Sequence, residues 1–309
     1  LRGSGGRSAV PQGLIVSAHG RHFLMEVGPE QRILAHPRGK RTECVVGDRV
    51  QWEPTHTSAN AQEAVIEAVL PRRNLFYRQD MWRTKSFAAN LDQILMMVAG
   101  QPLFSESQLS RALIAAHQAD IPVIIAHNKI DLPSAETARE RLAPYCAMGA
   151  ELLEMSVKAD PEATLRQLGP LLKGKTTLLL GASGTGKSSL VNLLVPQAQT
   201  RVGELSQALQ AGKHTTTHTT WYWLNEDEST ALIDSPGFQE FGLRQVEAAS
   251  LASLMPDLST HLGGCRFNNC LHLQEPDCAI RAALEQGSVS PNRYRIYCEI
   301  LSELQQKRW

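Results

Sequence analysis

The sequence has no excess of charge of either sign, with 31 basic and 31 acidic side chains among 309 residues. Global electrostatics therefore argue neither for nor against a polyanionic partner, and any basic surface has to be local. Long apolar runs are also missing. Stretches such as ILMMVA at 94–99 fall far short of the ~20 residues that span a bilayer, which predicts no membrane partner. The first dozen residues, LRGSGGRSAVPQ, lack the apolar core of a secretory signal and read as a disordered tail over 1–12. Internal repeats and low-complexity segments are absent, and so is a frame of evenly spaced cysteines. Of the six cysteines, Cys44, Cys146 and Cys298 are scattered, while Cys265, Cys270 and Cys278 crowd around His272. In a large chain with no secretion signal, that clustering points to metal binding rather than disulfides. The expectation is a soluble cytoplasmic monomer of two or three domains.

Three textures follow the tail. Over 13–73, short β-type runs (GLIVSAHG, RHFLMEVG, RILAHP, DRVQWEP, AVIEAVLP) are broken by Gly, Pro and Asp, as in a five-stranded all-β OB-fold barrel. Arg21, Arg32, Arg38, Lys40, Arg41, Arg49, Arg72 and Arg73 give this part a local basic excess. It suits an RNA-binding face, or equally an ordinary solvated surface. Over 74–242, buried strands alternate with longer amphipathic helices, the pattern of an α/β domain with a largely parallel sheet. Over 243–309 the chain turns mainly helical and carries the Cys/His cluster.

GASGTGKS, Gly181 to Ser188, follows an apolar strand and opens a helical run. That is the phosphate-loop pattern in its required setting. Gly181, Gly184 and Gly186 allow turns that aim backbone N–H groups at phosphate oxygens. Ala182, Ser183, Thr185 and Ser189 complete the lining, at the positive end of the following helix. Lys187 is placed to act on the β- and γ-phosphates, and Ser188 to ligate Mg²⁺. In LIDSPG, Asp234 ends an apolar strand where a carboxylate can reach that Mg²⁺, and the Gly237 N–H can reach the γ-phosphate. Between them, AGKHTTTHTT at 211–220 offers a threonine hydroxyl to the Mg²⁺ shell, Thr216 first and Thr215 next. The expected Mg²⁺ set is Ser188, Thr216 and Asp234.

NKID supplies a guanine reader. Asp131 can accept from the N1–H and 2-amino group that adenine lacks, Asn128 can bond the base, and Lys129 can pack along it. MSVKAD at 155–160 also follows a strand, and Ser156, Val157 and Lys158 are expected to back the base. The order is base reader, base support, phosphate loop, first switch, second switch. It is a cyclic shift of the familiar GTPase order, in which the phosphate loop comes first. Sheet geometry rather than chain order builds such a site, so the domain reads as circularly permuted.

This combination, together with the metal cluster, resembles the RsgA/YjeQ family of circularly permuted GTPases over nearly everything after the tail. The resemblance implies slow GTP hydrolysis to GDP, stimulated by the small ribosomal subunit, with the subunit and its 16S rRNA as partners, and a role in late subunit maturation. It also implies one structural Zn²⁺ on Cys265, Cys270, His272 and Cys278, a closed set of three thiolates and an imidazole. Phe238 stands where Ras-like proteins carry the water-orienting Gln. His214 occupies the family's candidate catalytic position and joins Thr216 and Lys187 as the expected catalytic set, with a loop-ordering hydrogen bonder as the equal alternative for His214. Two rival functions remain at this point: an ATPase carrying an incidental NKID, and an RNA-binding scaffold that only senses GTP.

Overall fold

Alternation of buried and less buried residues marks the third and fifth strands of the first unit, whereas its first strand is buried on both faces. The computed structural model describes residues 10–19, 22–29, 31–39, 43–55, 63–196, 218–238 and 240–306. Five strands, β1 (Gln12–His19), β2 (His22–Gly28), β3 (Gln31–Pro37), β4 (Arg49–Pro54) and β5 (Glu63–Val69), pair in the order 1-2-3-5-4. The β1–β4 pairing closes the barrel, so no strand edge is left open among them. Ile15, Phe23, Met25, Ile33, Val50, Ala64 and Ile66 fill its interior.

Four of the barrel's arginines are committed within the protein. Arg72 pairs with fully buried Asp48 at 2.7 Å, Arg32 with Glu26 at 3.1 Å, Arg38 with Glu67 at 3.0 Å, and Arg73 with Asp92 at 2.8 Å. The Asp48 carboxylate holds the Arg72 guanidinium above its ordinary pKa. Arg49 is exposed and makes no ion pair among the described residues, whereas Arg21, Lys40 and Arg41 lie outside them.

A hairpin that sequence reading left without an element joins barrel to sheet: β6 (Leu75–Gln79) and β7 (Thr84–Ala89). The barrel docks on its far end through Ala89 N–H to Val46 O (2.9 Å) and Asn90 Nδ2 to Gly47 O (2.8 Å). Only glycine fits at 47: φ is +91°, and a Cβ there would fall 2.2 Å from the Ala89 carbonyl oxygen.

The second unit is a sheet in the order β10-β9-β8-β11-β13-β12. Its strands are β8 (Gln93–Ala99), β9 (Val123–Asn128), β10 (Glu151–Met155), β11 (Thr176–Gly181), β12 (Thr220–Trp223) and β13 (Ala231–Asp234). All pairings are parallel except β12 on β13. β8 is buried along its whole length. Ile94, Met96 and Val98 face one core and Leu95 and Met97 the other, as expected of a central parallel strand covered on both sides. Helices α1 (Glu106–Gln118), α2 (Ala135–Ala147), α3 (Pro161–Leu172) and α4 (Lys187–Leu194) provide the cover. Ser105 and Asp160 cap α1 and α3 by accepting from Gln108 N and Ala163 N. The edge strand β12 meets the barrel at one register, Ser17 opposite Thr220, and the His19 and His218 rings lie 4.2 Å apart beside it.

Beyond the second switch come a 3-10 helix (Ala248–Leu254), α5 (Pro256–Ser259), α6 (Ala279–Glu285) and α7 (Pro291–Gln305). At the start of the region that reads as mainly helical, residues 248–254 form only this 3-10 turn, halted before Pro256. Ile296, Tyr297, Ile300 and Leu301 of α7 enter the same core as α1. Buried Arg111 of α1 reaches Glu299 and Glu303, and buried Arg293 binds Asp257 at 2.8 Å and Ser110 at 2.6 Å. Among the described residues no helix is long and apolar enough to cross a membrane.

Candidate nucleotide site and metal centre

The carboxyl ends of β9, β10, β11 and β13 deliver the predicted segments to one cleft of about 750 Å³, the general location for ligands on such sheets. Asn128, Lys129, Asp131, Val157, Lys158, Ser183, Gly184, Gly186, Lys187, Ser188, Ser189, Asp234 and Gly237 all line it. Four lysines (85, 129, 158, 187) face two aspartates (131, 234) there, so the cleft favours a polyanion.

Asn128 locks base loop to phosphate loop. Its Nδ2 donates to Thr185 O (2.9 Å), and its Oδ1 accepts from Val157 N (3.0 Å). Lys129, with φ at +65°, donates from Nζ to Gly184 O (2.8 Å) and Gln101 O (2.7 Å). Ser156 Oγ donates to the Asp131 carboxylate and accepts from Asp131 N (3.2 Å), which fixes the carboxylate at the cleft mouth. Ser156 is thus an orienting group behind Asp131.

In the phosphate loop, Gly186 has φ +107°, and a Cβ there would meet Asn128 Nδ2 at 2.2 Å. Gly186→Ala combines a left-handed strain of about 1–3 kcal/mol with displacement of the Asn128 strut. Fluorescent-GDP titration should show affinity falling about tenfold or more, while thermal unfolding shifts by only a few degrees.

Lys187 Nζ rests on the carbonyls of Gly181 (2.8 Å) and Ala182 (3.0 Å), and burial depresses its pKa. Thr185 Oγ1 turns back to Ala182 O (2.9 Å). Opposite, Ser235 Oγ donates to Leu179 O (2.8 Å) and clamps the start of the second switch to β11. A Cβ on Gly237 would stand 3.1 Å from Lys187 Nζ, so the switch backbone faces the phosphate-loop lysine. Burial lifts the Asp234 carboxyl to about 6, with Lys187 opposing. A buried carboxylate beside a serine hydroxyl in one cleft fits a hard divalent cation. The Phe238 ring does not line the cleft. It is buried edge-on to Phe241 at 5.5 Å, so the gap left by the missing Gln is not filled by residue 238. His214, Thr215 and Thr216 lie outside the described residues.

Sequence reading missed four lining residues: Leu132, Ser235 and Pro236, which adjoin predicted motif residues, and Lys85, which does not. Lys85 enters the cleft from β7, outside every motif. Alternation in TKSFAA gives no signal for it, because Phe87 is the extra residue of a β-bulge (Phe76 opposite Ala88, Tyr77 opposite Ser86) and residues 87–89 are all buried.

The Cys/His cluster closes on itself. Ligand atoms of Cys265, Cys270, His272 and Cys278 lie within 4.8 Å of one another. His272 Nδ1 is 3.5 Å from Cys265 Sγ and 3.4 Å from Cys278 Sγ, and those sulfurs are 4.0 Å apart. Zn–S bonds of ~2.3 Å and a Zn–N bond of ~2.0 Å imply tetrahedral edges of about 3.5–3.8 Å, so the set matches zinc. Burial and the neighbouring sulfurs push the Cys270 thiol up to about 12, a cost that a bound cation reverses. Glu275 holds the loop by accepting from Leu271, Leu273 and Gln274 N–H groups. Tyr294 and Tyr297 donate to the His272 and Leu271 carbonyls.

A family model described as RsgA GTPase matches residues 69–244. The chain is 54% identical over 302 residues to the Small ribosomal subunit biogenesis GTPase RsgA of Variovorax paradoxus (strain S110), covering 96% of this chain and 93% of that protein. Its counterpart in Burkholderia pseudomallei (strain 668) is 48% identical at the same coverage. Among solved structures, YjeQ from Thermotoga maritima superposes with a TM-score of 0.68 at 28% identity, covering 96% of this chain and 99% of that one. YloQ, described as a circularly permuted GTPase, gives 0.67 at 25% identity with both chains fully covered.

Proposed function

This chain belongs to the RsgA GTPase family and is a GTP hydrolase, and from that premise we propose that it binds the small ribosomal subunit and acts in its maturation. Hydrolysis in this reading is stimulated by the subunit. The observation that carries it is the convergence of NKID, the phosphate loop and DSPG on one lysine-rich cleft, in a chain whose relatives are named for small-subunit biogenesis. The units are a barrel to residue 73, a permuted GTPase domain over 74–242 and a zinc-bearing helical region from 243. Its setting is cytoplasmic and its working form a monomer.

Asp131, backed by Ser156, reads the guanine edge, while Asn128 and Lys129 hold base loop and phosphate loop in register. Lys187 and the loop N–H groups bind the β- and γ-phosphates. Ser188 and Asp234, joined by Thr216 or Thr215, would hold Mg²⁺, which supplies charge neutralisation for phosphoryl transfer. His214 orders the attacking water. Cys265, Cys270, His272 and Cys278 hold Zn²⁺ as a structural ion. The barrel meets 16S rRNA through Arg49 and the segments around Arg21 and Lys40 to Arg41, since the other arginines are spent on carboxylates.

Phosphate release measured from GTP and from ATP, each with and without purified small subunits, tests the reading. GTP should be used selectively, and turnover should rise at least tenfold with subunits. Equal use of ATP, or no response to subunits, would return the chain to an unassigned nucleotide switch.

A further inference from the structure

Lys85 lies far in sequence from every nucleotide motif, yet its side chain lines the same cleft as Lys187, Ser188 and Gly237. Its location within the cleft follows from the hairpin. β6 runs beside the segment that leaves the second switch: Gln79 N–H donates to Gly242 O (3.2 Å), Arg244 N–H donates to Gln79 O (2.8 Å), and the Arg78 guanidinium donates to Glu240 O. Glycine is required at 242, where a Cβ would strike Gln79 O at 2.5 Å. On β7, Phe87 is stacked on Phe241 at 6.0 Å with an interplanar angle of 1°, and Phe241 meets Phe238, the residue after Gly237, edge-on. Two residues before Phe87 on β7, Lys85 reaches the cleft that residues 234–237 also line, and the Phe87–Phe241–Phe238 contacts set its strand against the segment that carries them. This is the switch end of the cleft. The guanine-reading loops project from β9 and β10, on the other side of the phosphate-loop strand.

The ammonium has no anion to serve within the protein. Among the described residues no carboxylate lies within ion-pair distance of it. Its cross-strand neighbour is Arg78, and its nearest ring is Phe87, with Nζ 5.7 Å from the centroid. The side chain as a whole is exposed, and partial burial of the ammonium, then Arg78, pushes its pKa down. A cation so placed is stabilised by an anion in the cleft, and the anion expected at the switch end is the one that distinguishes GTP from GDP.

We propose that Lys85 binds the terminal phosphate of GTP, as a cation supplied by the β6–β7 hairpin rather than by the phosphate loop or either switch. The proposal rests on the GTP reading of the cleft and adds one group to it. It makes the hairpin part of the hydrolytic site, and because Ala89 and Asn90 fasten that hairpin to the barrel, the seating of the barrel controls where the ammonium points.

The test compares wild type, Lys85→Gln, Lys85→Arg and, as a charge control at the hairpin turn, Arg83→Gln. Affinities for fluorescent GDP and for a fluorescent non-hydrolysable GTP analogue are measured, with single-turnover hydrolysis and thermal unfolding alongside. A charge-assisted contact to phosphate predicts that Lys85→Gln weakens the GTP analogue at least about tenfold and slows single turnover. It should leave GDP affinity within about twofold by the same contact logic and leave the unfolding temperature unchanged. Lys85→Arg restores most of the difference, and Arg83→Gln shows none. Equal losses for both nucleotides, or no loss for either, overturn the role of Lys85 while the GTP reading stands. Failure of the wild type to bind guanine nucleotides with preference over adenine nucleotides is a different result, and it removes the reading beneath.

Discussion

Asp131→Asn is expected to cut affinity for GTP and GDP by roughly a hundredfold to ten-thousandfold, the range for a site whose buried hydrogen bonds are mismatched, and to create affinity for the xanthine nucleotide. The carboxylate presents two acceptors, which match guanine's two donors, N1–H and the 2-amino group. An amide presents one acceptor and one donor, so its N–H opposes the 2-amino group, and both donors are left without a partner in the bound complex. Xanthine carries an oxygen at that carbon and accepts from the same N–H. The geometry is favourable for a clean exchange, because Ser156 holds the 131 side chain from behind and its hydroxyl can bond an amide as readily as a carboxylate. Titration of fluorescent GDP and XDP into wild type and variant reads both halves. Guanine affinity unchanged within threefold, against the large loss just derived, would mean that Asp131 does not touch the base.

Removing the metal is the second large effect expected. Purified protein should carry one zinc per chain, and Cys278→Ser should abolish that stoichiometry. Cys278 is buried, begins α6, and shares a core with Ile280, Ile296 and Tyr297, so loosening its loop reaches α7. Structural zinc in small sites is worth on the order of 10 kcal/mol, more than most domains have to spare. A chelator, or Cys278→Ser, should therefore lower the unfolding temperature by well over ten degrees, given the several degrees per kcal/mol of moderate-sized domains. The loss should include the α1–α7 contact, because Arg111 is satisfied by Glu299 and Glu303 of the detaching helix. Zinc-free protein that melts at the wild-type temperature would make the cluster a bystander.

Much of this architecture is legible in the residues, for identifiable physical reasons. Parallel strands buried on both faces announce themselves as unbroken apolar runs, so β8, β9 and β11 stand out. The phosphate loop is equally plain, since glycine is required wherever backbone must take positive φ against a neighbour, as at Gly186 beside Asn128. The cyclic shift follows from motif order, and the sheet order with β11 between β8 and β13 agrees with it. Hidden features are those set by distant partners. The β6–β7 hairpin is half exposed and rich in charge, and what defines it is its docking on residues 240–244 and on the barrel. Lys85 belongs to the cleft only through that docking. The barrel's arginines look alike in sequence, and only pairing with Asp48, Glu26, Glu67 and Asp92 separates structural ones from Arg49. The helix expected after the second switch shortens to a 3-10 turn because Pro256 follows.

The reversed motif order also sets a timetable for synthesis. Chains fold from the N-terminus as they leave the ribosome, and the barrel has all five strands by Val69, so it can close while the rest is still unmade. The guanine-reading loop after β9 emerges next, yet β8 and β9 lack their central neighbour until β11 arrives, and β11 lacks β13 until Asp234 has been added. In an unpermuted chain the phosphate loop is made early and can meet nucleotide on a half-built sheet. Here base reader and phosphate loop meet only when the sheet is nearly finished, so a nascent chain cannot hold GTP before its barrel is ready.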